Sequence, residues 1–330
     1  MASCVPDTRY LASPEFLRTT LHYFSIAEGP VLTFGAYCIL YKTPVQMKSV
    51  KWLMLHLHFW SSLSDLLLSV IGIPFILLPA PAGLGLGLIE APRLLIYSAV
   101  TAIAGLTASV MAIYENRYYV LFGKNTLWRN FRKPYLILIF SLVPLCFLPP
   151  FFNVPEQESA RLLVKEMLPC LPEYDFEGRQ LFVLALSYTI PMYCIATGMV
   201  VLAVSISVFS LLMVYNMWYR RSNLSARALT MQRAFAVSLT IQSIFMLSFI
   251  LAPVIMIIWI LVSWHYDQAF TNFVFITLSL HGVGSTVMMI FIHKSYREFI
   301  FSKVYWISGR KGKATTMKSV GRSVAPSVAY

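Results

Sequence analysis

The sequence predicts an all-α membrane protein: a seven-transmembrane helix bundle with its N-terminus outside and a short amphipathic helix after the seventh span. Three observations carry this prediction. Only 12% of the 330 residues are charged and 58% are hydrophobic, whereas a soluble domain carries about 25% charged residues. The apolar residues gather into seven stretches, each near or above the roughly 20 residues that a bilayer requires. The basic residues favour alternate connections, as positive-inside proteins arrange them.

The spans run over about 23–41, 52–78, 94–117, 134–152, 181–214, 234–262 and 270–292. Residues 23–292 therefore form the bundle. Residues 1–22 form an extracellular segment, and 293–330 a cytoplasmic amphipathic helix and basic tail. The first twenty residues hold Asp7, Arg9, Glu15 and Arg18 and no apolar core, so the first span is expected to act as its own signal and anchor. The fifth span is longer than a bilayer needs, and its end is expected to project into the cytoplasm. With the N-terminus outside, twenty Lys and Arg fall on inner segments and six on outer ones. Glu156, Glu158, Glu166, Glu173, Asp175 and Glu177 crowd one outer loop. The net charge of +12 is thus spread among membrane connections and implies lipids as partners, with no nucleic acid.

The first span carries Glu28 beside Gly29-Pro30, which either lines a pocket or reaches headgroup water. The second carries Asp65 behind Ser61, Ser62 and Ser64. An intramembrane carboxylate is a functional candidate by default. The competing reading is a structural acid that holds the second helix against the bundle. No second deep carboxylate forms a relay with Asp65, which favours a structural or switch role over transport. The loop Pro79–Gly87 is apolar and turn-rich, and is expected to fold back onto the outer mouth.

The third span closes in Glu115-Asn116-Arg117-Tyr118. A guanidinium is costly at the bilayer centre, so the cluster belongs where the helix leaves the hydrocarbon. Either Arg117 snorkels to the headgroups, or the cluster is an inner switch read by a partner. Glu115 and Arg117 are two apart and do not share a face. Arg117 is expected to look to the inner ends of the fifth or sixth spans, and Glu115 to a basic residue of a neighbouring inner loop.

Prolines at 30, 74, 144, 149, 150, 191 and 253 favour kinks within the spans. Gly282-Val283-Gly284-Ser285-Thr286 follows His281, but the pattern is not G-x-S-x-G, and His281 with Ser285 reads as polar helix packing. No metal-spaced Cys/His set, cofactor motif or inverted repeat appears, so neither an enzyme nor a secondary transporter is indicated. Cys38, Cys146 and Cys194 fall inside spans and read as small buried hydrophobes. Cys4 and Cys170 are the two placed outside; they form one bridge or remain two free thiols. After the seventh span, Tyr296, Phe299, Ile300 and Val304 recur at helical spacing around Arg297, which predicts a short helix on the inner leaflet. Beyond Ser308 the tail is basic, rich in Ser and Thr, and without apolar periodicity.

Specific words narrow the class. They are Tyr10-Leu11-Ala12-Ser13-Pro14-Glu15-Phe16-Leu17, Gly35-Ala36-Tyr37-Cys38-Ile39-Leu40-Tyr41-Lys42-Thr43-Pro44, Leu57-His58-Phe59-Trp60 with Asp65 downstream, and Glu115-Asn116-Arg117. Pro149-Pro150-Phe151, Pro155-Glu156-Gln157, Leu168-Pro169-Cys170-Leu171-Pro172, His281-Gly282, Ser285-Thr286 and Tyr296-Arg297 continue the series. Together they resemble the nematode serpentine receptor class H chemoreceptors, from about Tyr10 to Phe301. The resemblance implies a G-protein-coupled receptor in the plasma membrane of sensory neurons, in their cilia, that detects a small environmental molecule and activates a heterotrimeric G protein. It also favours a Cys4–Cys170 bridge. The alternative is an odorant-gated cation channel or a membrane transporter. Rhodopsin-like switch details do not carry over: Arg117 stands two residues after its acid, and the seventh span has no Asn-Pro-x-x-Tyr.

Overall fold

The computed structural model describes residues 8–44, 47–168, 178–218 and 226–307. Seven helical segments among them are long and apolar enough to cross a membrane. The first is α1 (Pro14–Lys42). Ser13 caps it by accepting from the Phe16 amide, Pro14 fits the first turn, and Glu15 and Lys42 complement the helix dipole. The helix therefore begins well before the predicted apolar window at residue 23.

The second helix, α2 (Lys48–Leu66), passes into a π-helical turn at Leu67–Ile71 and stops. The sequence predicted helix to residue 78. Instead Ile73 takes φ 42°, a strained value for a β-branched residue. Pro74–Ile76 then forms strand β1. It pairs antiparallel with β2 (Ala82–Gly85), which pairs in turn with β3 (Phe182–Val183). The expected fold-back of the 79–87 loop is thus a small sheet. Its third strand takes the first residues of the predicted fifth span. Hydropathy cannot separate a buried apolar strand from the end of a transmembrane helix, and both boundary errors have this cause.

The sheet is pinned from two sides. Gln157, at the start of α6 (Gln157–Met167), donates to the Val183 carbonyl at 3.1 Å and accepts from its amide at 3.0 Å. Arg179 donates to the carbonyls of Gly85 and Gly87 and pairs with Glu90 at 3.1 Å. A Cβ on Gly83 would meet the Phe75 carbonyl, and one on Gly87 the Ile71 carbonyl, so both positions admit only hydrogen. Ile73, Phe75, Leu77 and Leu84 are buried against Leu17, Leu21 and Val164.

The third helix, α3 (Pro92–Leu121), is the central one and packs on α2, on α4 (Trp128–Leu145) and on α7 (Thr189–Trp218). Gly105 lets the Trp60 ring lie against its backbone. A short helix α5 (Leu148–Phe152) completes the fourth span. The sixth is α8 (Ala226–Ser263). The seventh breaks at Leu280 into α9 (Gln268–Ser279), capped by Asp267, and α10 (His281–Ile292). Helix α11 (Lys294–Ile307) follows. It was expected to lie on the leaflet, but Tyr296 is fully buried and its hydroxyl meets Thr43 Oγ1 at 2.7 Å. Phe299 covers Lys42 at 4.3 Å and Ile300 packs on the main core, while Arg297 is exposed. The helix is therefore sewn to the ends of α1 and α10. The bundle has two dissimilar ends, one closed by the sheet and one carrying Arg117.

Candidate functional site

At the Arg117 end one arginine reads two neighbouring side chains of α3. Arg132 Nε lies 2.9 and 3.0 Å from the two oxygens of Glu115, and its terminal nitrogen donates to Asn116 Oδ1 at 3.0 Å. Trp128 Nε1 also donates to Glu115, at 2.7 Å. Asn116 Nδ2 reaches the Ser49 carbonyl at 3.2 Å, and the Arg132 guanidinium covers the Tyr119 ring. Glu115 is fully buried, so these charge-assisted bonds replace its water. They tie α3 to the start of α4 and to α2. The predicted basic partner of Glu115 is Arg132.

Arg117 is treated differently. It is 2% exposed, and its Nε and one terminal nitrogen have no hydrogen-bond partner among the described residues. Its guanidinium lies 3.8 Å from the centroid of the Phe235 ring on α8. Phe235 stacks on His293 at 5.9 Å, and His293 meets the Tyr296 ring edge-on at 5.5 Å. A continuous aromatic relay thus joins α3, α8 and α11. Burial, and then the Arg117 charge, push the His293 pKa down to about 4. Full burial is incompatible with snorkelling, and of the two directions expected for Arg117, the fifth or the sixth span, its ring contact is with the sixth. Tyr118 lies beside Arg117 and packs on Phe209 of α7.

A second polar group lies mid-bundle, where the seventh span breaks. Asp65 Oδ1 is 3.0 Å from His281 Nδ1 and accepts from the Gly282 amide at 3.3 Å. His281 Nδ1 also lies 2.8 Å from the Leu278 carbonyl. Ser69 Oγ is 2.7 Å from the Asp65 carbonyl and 3.1 Å from Glu28 Oε2. Glu28, expected at a pocket or at the headgroups, is buried at 4% exposure and joins this group instead. His281 was read as a packing partner of Ser285, but it faces Asp65. A Cβ at Gly282 would collide with the Asp65 carboxylate. No cluster of three or more metal-type ligands forms among the described residues.

Beneath the sheet is a cavity of about 500 Å³. Its walls come from the π-helical turn after α2 and from α3, α4, α7, α8 and α9, with the strands across one end. This volume falls in the range of ligand pockets, roughly 300–1,000 Å³. Tyr188, just before α7, has its hydroxyl buried in the wall without a hydrogen-bond partner among the described residues. Burial pushes that hydroxyl's pKa up, so it keeps its proton.

A sequence model of the serpentine-type 7TM GPCR chemoreceptor family Srh matches residues 12–306, nearly all of the chain described above. The chain belongs to the Srh family. A Caenorhabditis elegans protein, serpentine receptor class H-72, is 25% identical over 311 residues, which cover 91% of this chain and 88% of that protein. The family assignment gives this Srh chain a chemoreceptor role and a multi-pass place in a membrane.

Within this Srh chain the residues expected as an inner switch face separate partners from one turn of α3: Glu115 and Asn116 meet Arg132, Arg117 meets Phe235 and Tyr118 meets Phe209. Asp65 and Glu28, considered separately in the sequence, share one site. Cys4 and Cys170 lie outside the described residues. Cys38, Cys146 and Cys194 are free thiols. Sequence reasoning missed Trp128, Arg132, Phe235, His293 and Tyr188 as site residues. Arg132 carried a usable signal, being a basic residue at the start of the next span. Phe235 and Tyr188 are ordinary aromatics in apolar surroundings, and nothing local marks them.

Proposed function

We propose that this chain is a chemosensory G-protein-coupled receptor of the plasma membrane, with the sheet end outside and the Arg117 end facing a heterotrimeric G protein. Its N-terminus lies outside, in keeping with the basic residues on the alternate connections. A small molecule occupies the cavity beneath the sheet, and its binding biases two arrangements of the bundle. The observation that carries this reading is Arg117: a buried guanidinium held across a helix–helix gap by an aromatic face. Separating α8 from α3 would give that charge to water or to a partner, so the inner end has two arrangements within reach. Glu115, Asn116 and Arg132 hold α3 to α4 in the resting arrangement and restrain its opening, while α11 stays anchored through Tyr296. Sensory-neuron cilia are the proposed site of action.

The test is nucleotide exchange on purified heterotrimer by receptor in nanodiscs. Wild-type receptor should accelerate exchange, and Arg117→Ala should not, at equal amounts of folded protein. Ion currents from the receptor alone, with no G-protein dependence, would establish the channel alternative. An epitope at residue 2 should stain intact cells and one at residue 330 should not; the reverse pattern would invert the assignment of the two ends.

A further inference from the structure

The cavity beneath the sheet is lined without a charged or amide side chain: no Asp, Glu, Lys, Arg, His, Asn or Gln faces it among the described residues. None of its lining residues on the strands or on the turn joining β1 to β2 is exposed, so the sheet roofs it. The walls on the π-helical turn, α3, α8 and α9 are likewise unexposed. Exposed lining residues occur on two helices alone among the described residues: Leu142 and Leu145 on α4, and Thr197 and Val201 on α7. Their spacings of three and four put each pair on one helix face. Beside them the Cys146 thiol donates to the Cys194 carbonyl at 3.0 Å, and a Cβ on Gly198 would stand 3.1 Å from the same sulfur. Both helices otherwise pack chiefly on α3. Neither α7 nor α4 beyond Lys133 carries a charge. At 1.5 Å per residue, 194–201 lies about 8–18 Å along α7 from Thr189, within the roughly 30 Å depth of hydrocarbon.

We infer that the cavity opens sideways into the bilayer between α4 and α7, and that it takes a free, uncharged hydrocarbon molecule dissolved in the lipid. This rests on the receptor reading above and names the ligand class and the way in for that same site. The roof turns away solutes arriving from water, because entry there would part β2 from β1 and β3. A charged solute cannot use the side mouth, since it would lose its water in the hydrocarbon and find no partner in the walls. An alkyl chain loses nothing on either step. A lipid of the bilayer itself would keep the cavity permanently filled, which a sensor's site does not tolerate. The thiol contact at the mouth is a weak one, so the two helices can part there at small cost.

The experiment is photolabelling of full-length receptor in nanodiscs, with crosslinks mapped by mass spectrometry. The probes are decane carrying a mid-chain diazirine, the same chain with a trimethylammonium head, and a phosphatidylcholine with the diazirine in one acyl chain. Free decane probe should label Leu84, Ile250 and Phe275, deep in the cavity, whereas the other two should stop at the mouth residues. Leu145→Trp with Thr197→Trp should slow deep labelling by about tenfold, the effect of a modest added barrier, and leave its final extent unchanged, because a door delays entry and exit alike. Leu142→Trp and Val201→Trp, made singly, should each slow it too, which covers the case that the double variant fails to fold. Ile258→Trp, at an exposed position of α8 outside the lining, should label as wild type does. Ile103→Trp, which fills the cavity, should abolish deep labelling. Deep labelling at the wild-type rate in the folded mouth variants would overturn the inference. So would deep labelling by the ammonium chain or the phospholipid, or none by the free chain. No G protein is present, so the outcome is separate from coupling. Mouth-dependent labelling of a receptor that drives no nucleotide exchange would sink the coupling proposal alone; exchange by a receptor that never labels deep would sink this inference alone.

Discussion

Phe235→Leu should raise agonist-free nucleotide exchange. The substitution keeps an apolar side chain on α8 but removes the ring that faces Arg117 at 3.8 Å. A desolvated cation–π contact is worth about 2 kcal/mol or more. Losing it leaves a guanidinium that is 2% exposed, with two nitrogens that have no hydrogen-bond partner among the described residues. The charge can then recover solvation by separation of α8 from α3, so the lost contact biases the equilibrium toward the open arrangement. Two kcal/mol corresponds to a factor of roughly 30 in that equilibrium. Basal exchange should rise toward that factor when the resting receptor is mostly closed. Phe235→Tyr retains the ring and should remain near wild type. The assay is exchange per folded receptor in nanodiscs, without added ligand. If Phe235→Leu and wild type exchange at the same basal rate, with equal amounts of receptor, Arg117 is not restrained by this ring and the proposed two-state gap is wrong.

Glu115→Gln should also raise basal exchange, because Arg132 loses its counter-charge and α4 is freed from α3. The hydrogen bonds to a charged group lost here are worth roughly 1.5–3 kcal/mol, less the water that reaches a guanidinium 26% exposed. Unchanged basal exchange in Glu115→Gln would make the Arg132 contact purely architectural. Gly282→Ala should reduce the amount of receptor at the cell surface, since the added methyl meets the Asp65 carboxylate; Asp65→Ser on the same chain should restore part of it, and failure of that rescue would refute the collision. His293 has its pKa lowered from 6.5 to about 4, so the native state binds fewer protons than the unfolded one as the pH falls from about 6.5. The contribution is absent above that window, and stability is lost through it. Thermal unfolding near pH 5 relative to pH 7 should show a smaller loss in His293→Phe than in wild type, and equal losses would exclude His293 as the titrating group. Cys4→Ala, Cys170→Ala and the double substitution should each lower surface delivery equally, as one bridge requires; two reactive thiols in the mature receptor would rule the bridge out.

The spans were legible because the bilayer imposes a long apolar window that survives any detail of packing. Their ends were less so. Ile73–Leu78 and Leu181–Val183 are as apolar as the helices beside them, and only the register of β1, β2 and β3 turns them into a cap. Glu115 and Arg117 could be placed because charge at the end of an apolar run is conspicuous, and Arg132 was within reach for the same reason. The joining of Asp65 to His281 depends on a break at Leu280 that no residue at that position announces. The cavity was invisible in the sequence, since the π-helical turn, five helices and a sheet each lend it a few ordinary aliphatic side chains.

The glycine-tight sheet has an evolutionary meaning. Any side chain at Gly83 or Gly87 would press on main-chain carbonyls, which cannot rotate aside as a rotamer can. The cap is therefore rigid in its sequence as well as its shape. The walls below it are free: Leu95, Val143, Met199 and Val254 point at unfilled volume, and enlarging or shrinking them changes the outline of the cavity with little strain on the bundle. Substitutions at these positions would reshape the cavity while the sheet, the mid-bundle acid–histidine pair and the buried arginine stay as they are. The outline of the cavity is thus the variable part of the design, and the frame that surrounds it the fixed part.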